Sequence, residues 1–281
     1  MQLQKPFVSE KIWGYERWIV STHAAGQSVT AAGGNTLKDV LGYDYPLLLK
    51  VIQADDKLSV QLHPDDAYAK KHENSLGKTE CWYVLDAKEG ASLVCGLSGD
   101  YSAEELRTAI SENRLEPYLR SVNVKKGDFL FIPAGLVHAI GGGLRLLEIQ
   151  ESSDITYRLY DWGRGREVHI EKGLEVLKHL ASDVQSGFCG PFDCEYFSLR
   201  LIDTKATGKA EISGITGQAD TAYSLFVLDC SPGAALTGKT GETLLVKTED
   251  TLVCDPDETV TASGDMRVMQ IIATSMLPRV C

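Results

Sequence analysis

From residue 45 to residue 162 the chain is a succession of short apolar runs: "YPLLLKVIQ", "LSVQLH", "ECWYVL", "SLVCGL", "DFLFIP", "LRLLEIQ" and "ITYRLYDW". Each is rich in β-branched or aromatic residues, and Gly, Asp or Pro turns separate them. A run this short is the length of a strand and too short for an ordinary helix. The spacing therefore favours an all-β barrel or sandwich over an alternating β-α fold. One helical island interrupts the pattern, near 102–121. There Ser102 precedes Glu105 by three residues, as in a capping box, and Leu106, Ile110 and Leu115 recur close to helical spacing. Shorter helices are expected at "DDAYAKKHE", with Asp65 and Asp66 as caps, and at "IEKGLEVLKHL".

After about residue 185 the texture changes. "SGFCGPFDCEYF" punctuates the chain, and the remaining strand-like runs bring no His, Glu and Lys together. The expected division is a larger β domain over 1–185 and a smaller C-terminal β-sandwich domain over 186–281.

Charge narrows the partners. With 28 Lys and Arg against 39 Asp and Glu, the 281-residue chain carries a formal net charge of -11. A phosphate backbone needs a basic surface, so nucleic acid is not an expected partner. A small anionic substrate remains compatible if a few cations converge locally. No run approaches a membrane span, and the first residues show no signal-peptide pattern, so a cytoplasmic protein is expected. The seven cysteines are scattered without a CxxC pair and read as reduced thiols, Cys189 and Cys194 included.

Two residue pairs carry the chemistry. In "SVQLHPDD" alternation puts Ser59, Gln61 and His63 on one face of a strand, and in "GKTECWY" it puts Lys78, Glu80 and Trp82 on one face. Two strands of one barrel could aim these groups into one cavity. A third stretch, "GDFLFIPAGLVHAIGGG", reads as a strand from Gly127 to Pro133, a turn at Gly135, and a second strand entered by His138. In "ESSDITYRLYDWGRGR", Asp154, Thr156 and Arg158 would share a face. By spacing alone this supports a candidate metal site and no more. Trp13 and Trp18 are read as packing residues, and His23, His72, His169 and His179 as surface or loop histidines.

The spacing Gly127, Pro133, Gly135, His138 is similar to the second motif of the cupin superfamily. Together, "SVQLHPDD", "GKTECWY", "PAGLVHAIGGG" and "DITYRLYDWGR" resemble type I mannose-6-phosphate isomerase in its short bacterial form, over roughly residues 5–180. The resemblance implies a mainly β cupin jelly-roll barrel and one zinc ion per chain, held by Gln61, His63, Glu80 and His138. It implies Arg158, Lys78 and Asp154 as catalytic residues, and Ser59, Lys78, Arg158 and Arg164 as contacts to a sugar phosphate. It implies interconversion of mannose 6-phosphate and fructose 6-phosphate through an enediol, by a monomer or homodimer. Two rival readings share the ligand set: a non-haem iron cupin oxygenase, built on two His and one carboxylate, and a metal-binding sugar sensor without catalysis.

Overall fold

The computed structural model describes residues 1–214 and 221–274. The chain divides into two compact units. One holds Val8–Arg17 and Leu49–Phe188; the other holds Met1–Phe7, Trp18–Leu48 and the chain from Cys189 on. The boundary between the units falls after Phe188, and Met1–Phe7 and Trp18–Leu48 group with the chain from Cys189 on. The reason is strand pairing. Gln2–Lys5 lies antiparallel to Thr251–Cys254, with Gln2 opposite Val253, and to Val29–Thr30.

In the larger unit every short apolar run forms a strand, and two antiparallel sheets result. One runs in the order Phe129–Ile132, Glu80–Ala87, Leu144–Glu151, Leu47–Ala54, Gly14–Val20, Phe7–Lys11. The other runs Tyr157–Tyr160, Val60–Leu62, His138–Ile140, Ser92–Leu97, Leu119–Asn123. Inward residues of both sheets interdigitate in one core, among them Ile52, Trp82, Leu93, Leu130, Ile140 and Leu146. Burial of that apolar surface is what holds the barrel closed. Trp13 and Trp18 are both buried, as packing residues should be.

The helical island is shorter than its sequence suggests. Ser102 and Glu105 do form a reciprocal capping box on Ala103–Ser111. The helix then stops, because Asn113 takes a left-handed φ of 56° and Pro117 lies in the 3-10 turn Glu116–Tyr118. Leu119–Asn123 continues as a strand. Asp65 caps the helix Asp66–His72, accepting from the Tyr68 amide, and Ile170–Val176 forms the last helix of this unit. The Gly127 stretch also differs from its reading. Gly127 sits in a turn at φ 89°, and the strand begins at Phe129.

In the other unit a seven-stranded and a four-stranded sheet share a core that includes Tyr223, Leu225, Leu252, Val260 and Val268. The six described cysteines are all free thiols; Cys281 lies outside the described residues. Among the described residues no helix is long and apolar enough to cross a membrane.

Candidate functional site

Gln61 is the middle residue of Val60–Leu62, and its cross-strand neighbours are His138 on one side and Arg158 on the other. Directly opposed residues of paired strands share a face, so amide, imidazole and guanidinium project to one side. His63 follows the same strand at the same phase. Glu80 opens a strand of the other sheet, between Ile132 and Gln150. Lys78 precedes that strand, yet its ammonium is buried and converges on the same point.

His63, Glu80 and His138 are buried, and one ligand atom from each lies within 4.8 Å of the others. Nε2 of His63 is 3.8 Å from Glu80 Oε2, and Nε2 of His138 is 3.5 Å from Glu80 Oε1. The rings are fixed by the backbone. His63 Nδ1 is 2.7 Å from the Ile155 carbonyl and His138 Nδ1 is 2.9 Å from the Leu136 carbonyl. A carbonyl only accepts, so each Nδ1 carries the proton and each Nε2 presents a lone pair. Burial drives the His138 pKa down to about 4, and burial with Lys78 nearby holds His63 well below its ordinary range. Both imidazoles are therefore neutral at neutral pH.

The third group is an acid under stress. Burial pushes the Glu80 carboxyl up to about 7, against the pull of Lys78, whose Nζ lies 3.0 Å from Oε2. Glu80 Oε1 has no hydrogen-bond partner, and Oε2 faces the Lys78 ammonium. Two imidazole lone pairs and a carboxylate thus face one another in a buried interior beside one ammonium, and a metal cation bound by all three would offset the cost of burying them. The donor types suit zinc. Two ligands each about 2.1 Å from a tetrahedral ion stand about 3.4 Å apart, close to the separations seen. Gln61 differs: its Nε2, not its oxygen, lies 3.5 Å from His138 Nε2, while Oε1 accepts from the Ser59 hydroxyl at 3.2 Å. Ligation by Gln61 needs the amide turned over, a rotation that leaves Ser59 Oγ free to accept from the amide nitrogen.

Behind these groups stands a polar network that sequence reasoning missed. Lys50 Nζ donates to Gln150 Oε1 at 2.6 Å and pairs with Glu148 Oε2 at 2.9 Å. Trp82 Nε1 donates to Glu148 Oε1 at 3.2 Å, and the Trp82 ring meets His138 edge-on at 5.4 Å. Burial would raise the Glu148 carboxyl, but Lys50 and Lys78 hold it down at about 2; burial likewise opposes the charge on Lys50, which Glu148 sustains. The signal was in the sequence: one lysine inside "LLLKVIQ", and Glu148 and Gln150 alternating with Leu147 and Ile149.

The other expected residues separate. Ser59 is buried, and its hydroxyl donates to Gln61 Oε1. Lys78 Nζ also lies 3.2 Å from His63 Nε2. Arg158 donates from NH1 to the Glu167 carbonyl at 2.7 Å, and its backbone amide donates to His169 Nδ1. Arg164 pairs with Asp161 at 2.9 Å. Asp154 does not share the strand face with Arg158: the strand begins at Tyr157, and Asp154 is exposed before it.

The comparisons with known proteins bear on this site. The family model described as phosphomannose isomerase type I, catalytic domain, matches residues 2–91. Mannose-6-phosphate isomerase ManA of Bacillus subtilis is 41% identical over 211 residues, spanning 62% of this chain and 67% of the relative. The chain belongs to the type I phosphomannose isomerase family. Mannose-6-phosphate isomerase of Streptococcus mutans is 44% identical over 186 residues, 58% of this chain and 57% of that protein. The crystal structure of the Bacillus subtilis mannose 6-phosphate isomerase superposes with a TM-score of 0.82 at 29% identity, covering 96% of this chain and 99% of that one. A mannose 6-phosphate isomerase bound with zinc and yttrium shares the fold, with a TM-score of 0.73 at 15% identity, over 98% of this chain and 100% of that one. With membership comes the reaction class, isomerisation of mannose 6-phosphate. The sensor and oxygenase readings are set aside on that ground.

Proposed function

We propose that this phosphomannose isomerase family member interconverts mannose 6-phosphate and fructose 6-phosphate with one zinc ion held by His63, Glu80, His138 and, after rotation of its amide, Gln61. The observation that carries the reading is the Glu80 carboxylate, buried between two neutral imidazoles whose Nε2 lone pairs face it, with the Lys78 ammonium on one oxygen and no hydrogen-bond partner on the other. When bound, zinc would supply positive charge for a sugar oxygen that turns anionic, and would help orient the sugar.

The chain's own residues account for the rest. Aldose–ketose isomerisation moves a proton between neighbouring carbons, so it needs a proton carrier beside the ligand set. Lys78 is that group, its ammonium within 3.2 Å of both Glu80 and His63. Arg158 stands next to Gln61 in register and is a poor base, so its role is electrostatic: it and Arg164 take the phosphate. Trp82, held through its Nε1 by Glu148, which in turn pairs with Lys50, supports the His138 ring edge-on. His138→Ala should lose both bound zinc and activity, measured by elemental analysis and by a coupled assay of fructose 6-phosphate. A fully metallated and active variant would remove His138 from the ligand set.

A further inference from the structure

Downstream of Arg158 the chain reads "YDWGRGREV", and its two further arginines close on one carboxylate. Asp161 is buried. Its Oδ1 takes Arg164 NH2 at 2.9 Å and Arg166 NH2 at 2.5 Å, and its Oδ2 takes Arg166 Nε at 2.8 Å. Arg166 is thus bidentate on Asp161, the strongest form of this pairing, while Arg164 shares only one oxygen.

Arg158, Arg164 and Arg166 bring three positive charges and Asp161 one negative charge, which leaves two in excess. Asp56, 3.7 Å from Arg164 NH1, and Glu167 are carboxylates on exposed side chains, where water screens them. Two guanidinium atoms are buried without a hydrogen-bond partner, Arg158 Nε and Arg164 NH1. A buried unsatisfied N–H on a cation is costly unless a ligand takes it. Burial, and then the charge of Arg166, lowers the Arg158 pKa, a sign that these cations crowd one another.

We propose that Arg166 is a positioning residue for the substrate phosphate: by neutralising Asp161 it releases the charge of Arg164, so that Arg158 and Arg164 together match a phosphate monoester dianion. The inference rests on the phosphate reading of Arg158 and Arg164 and adds the residue that sets their charge. Without Arg166, Asp161 would pair with Arg164 alone and cancel it.

The test is a charge cycle in the zinc-loaded enzyme. Arg166→Ala should raise KM for mannose 6-phosphate and the inhibition constant for inorganic phosphate, each about tenfold, with kcat at saturation falling much less. Asp161→Asn added to Arg166→Ala returns the excess to two charges, and should restore most of both constants. Arg166→Lys should fall between wild type and Arg166→Ala. A double variant as poor as Arg166→Ala, or worse, would show that Arg166 only props the loop and would overturn the inference. If Arg158→Gln raises KM while Arg166→Ala leaves it unmoved, the inference fails and the phosphate reading stands. If neither variant moves KM or phosphate inhibition, the phosphate reading itself fails.

Discussion

At the residue scale the chemistry turns on which acids are charged. Burial, with Asp66 close by, pushes the Glu151 carboxyl up to about 8, while its Oε1 accepts from the Thr79 amide at 2.6 Å. Its pKa is raised on folding, so its contribution to stability is whole below the ordinary carboxylate pKa of about 4.3. That contribution is lost as pH rises through 8. Glutamine can accept the same Thr79 bond without a charge. Glu151→Gln should therefore melt close to wild type near pH 5 and clearly above it near pH 9. Parallel melting curves across that range would contradict the assignment. Glu148 is the opposite case, held near 2 by lysines, and Glu148→Ala would leave Lys50 buried without its counter-ion, at a cost of about 3–5 kcal/mol. Denaturant unfolding would measure it, and a loss below about 1 kcal/mol would show that Lys50 finds solvent.

At the element scale the segment before Glu80 decides where Lys78 points. The Gly77 amide donates to Asp66 Oδ1 at 2.7 Å and the Lys78 amide to the Pro64 carbonyl at 3.0 Å. A Cβ on Gly77 would stand 2.5 Å from the Asp66 nitrogen and 2.6 Å from the Asp65 carbonyl carbon. Backbone on both sides leaves no room, so Gly77→Ala must move the segment. It should cost about 1–3 kcal/mol of stability and about tenfold or more in kcat, with zinc still bound. Ser102→Ala makes the contrast. It removes the capping box of an exposed helix end, costing about 1 kcal/mol, and should leave the kinetics alone. The shared direction of Gln61 and His63 was legible in the sequence because a strand repeats every two residues, whereas Lys78 reaches Glu80 from outside the strand that Glu80 opens. Lys50 and Glu148 stood out as charges in apolar runs, but their pairing did not, because each finds its partner on another strand, where no local spacing can show it. The false half of the 102–121 helix had the opposite cause. Its apolar spacing continued past Asn113 and Pro117, and backbone preferences overrode it.

At the scale of the whole molecule the sequence revealed the mainly β class, but not the pairing of its first strand with one near its end. Gln2–Lys5 completes a sheet with strands more than two hundred residues later, and nothing near Leu3 announces Leu252 as its partner. Such pairing is set by tertiary packing, which local propensity does not encode. The barrel of the larger unit was legible because its strands follow one another closely, and the site inherits that order: Gln61, His63 and His138 arrive with one sheet and Glu80 with the other, all within one unit. The account therefore stands on one claim, that this cavity is a metal site which runs the isomerisation. The most direct measurement strips the protein with a chelator, confirms that it remains folded, and follows mannose 6-phosphate to fructose 6-phosphate as zinc is returned. The account predicts that activity vanishes on stripping and returns in proportion to zinc, saturating at one ion per chain. Full turnover by the stripped, folded protein would contradict it.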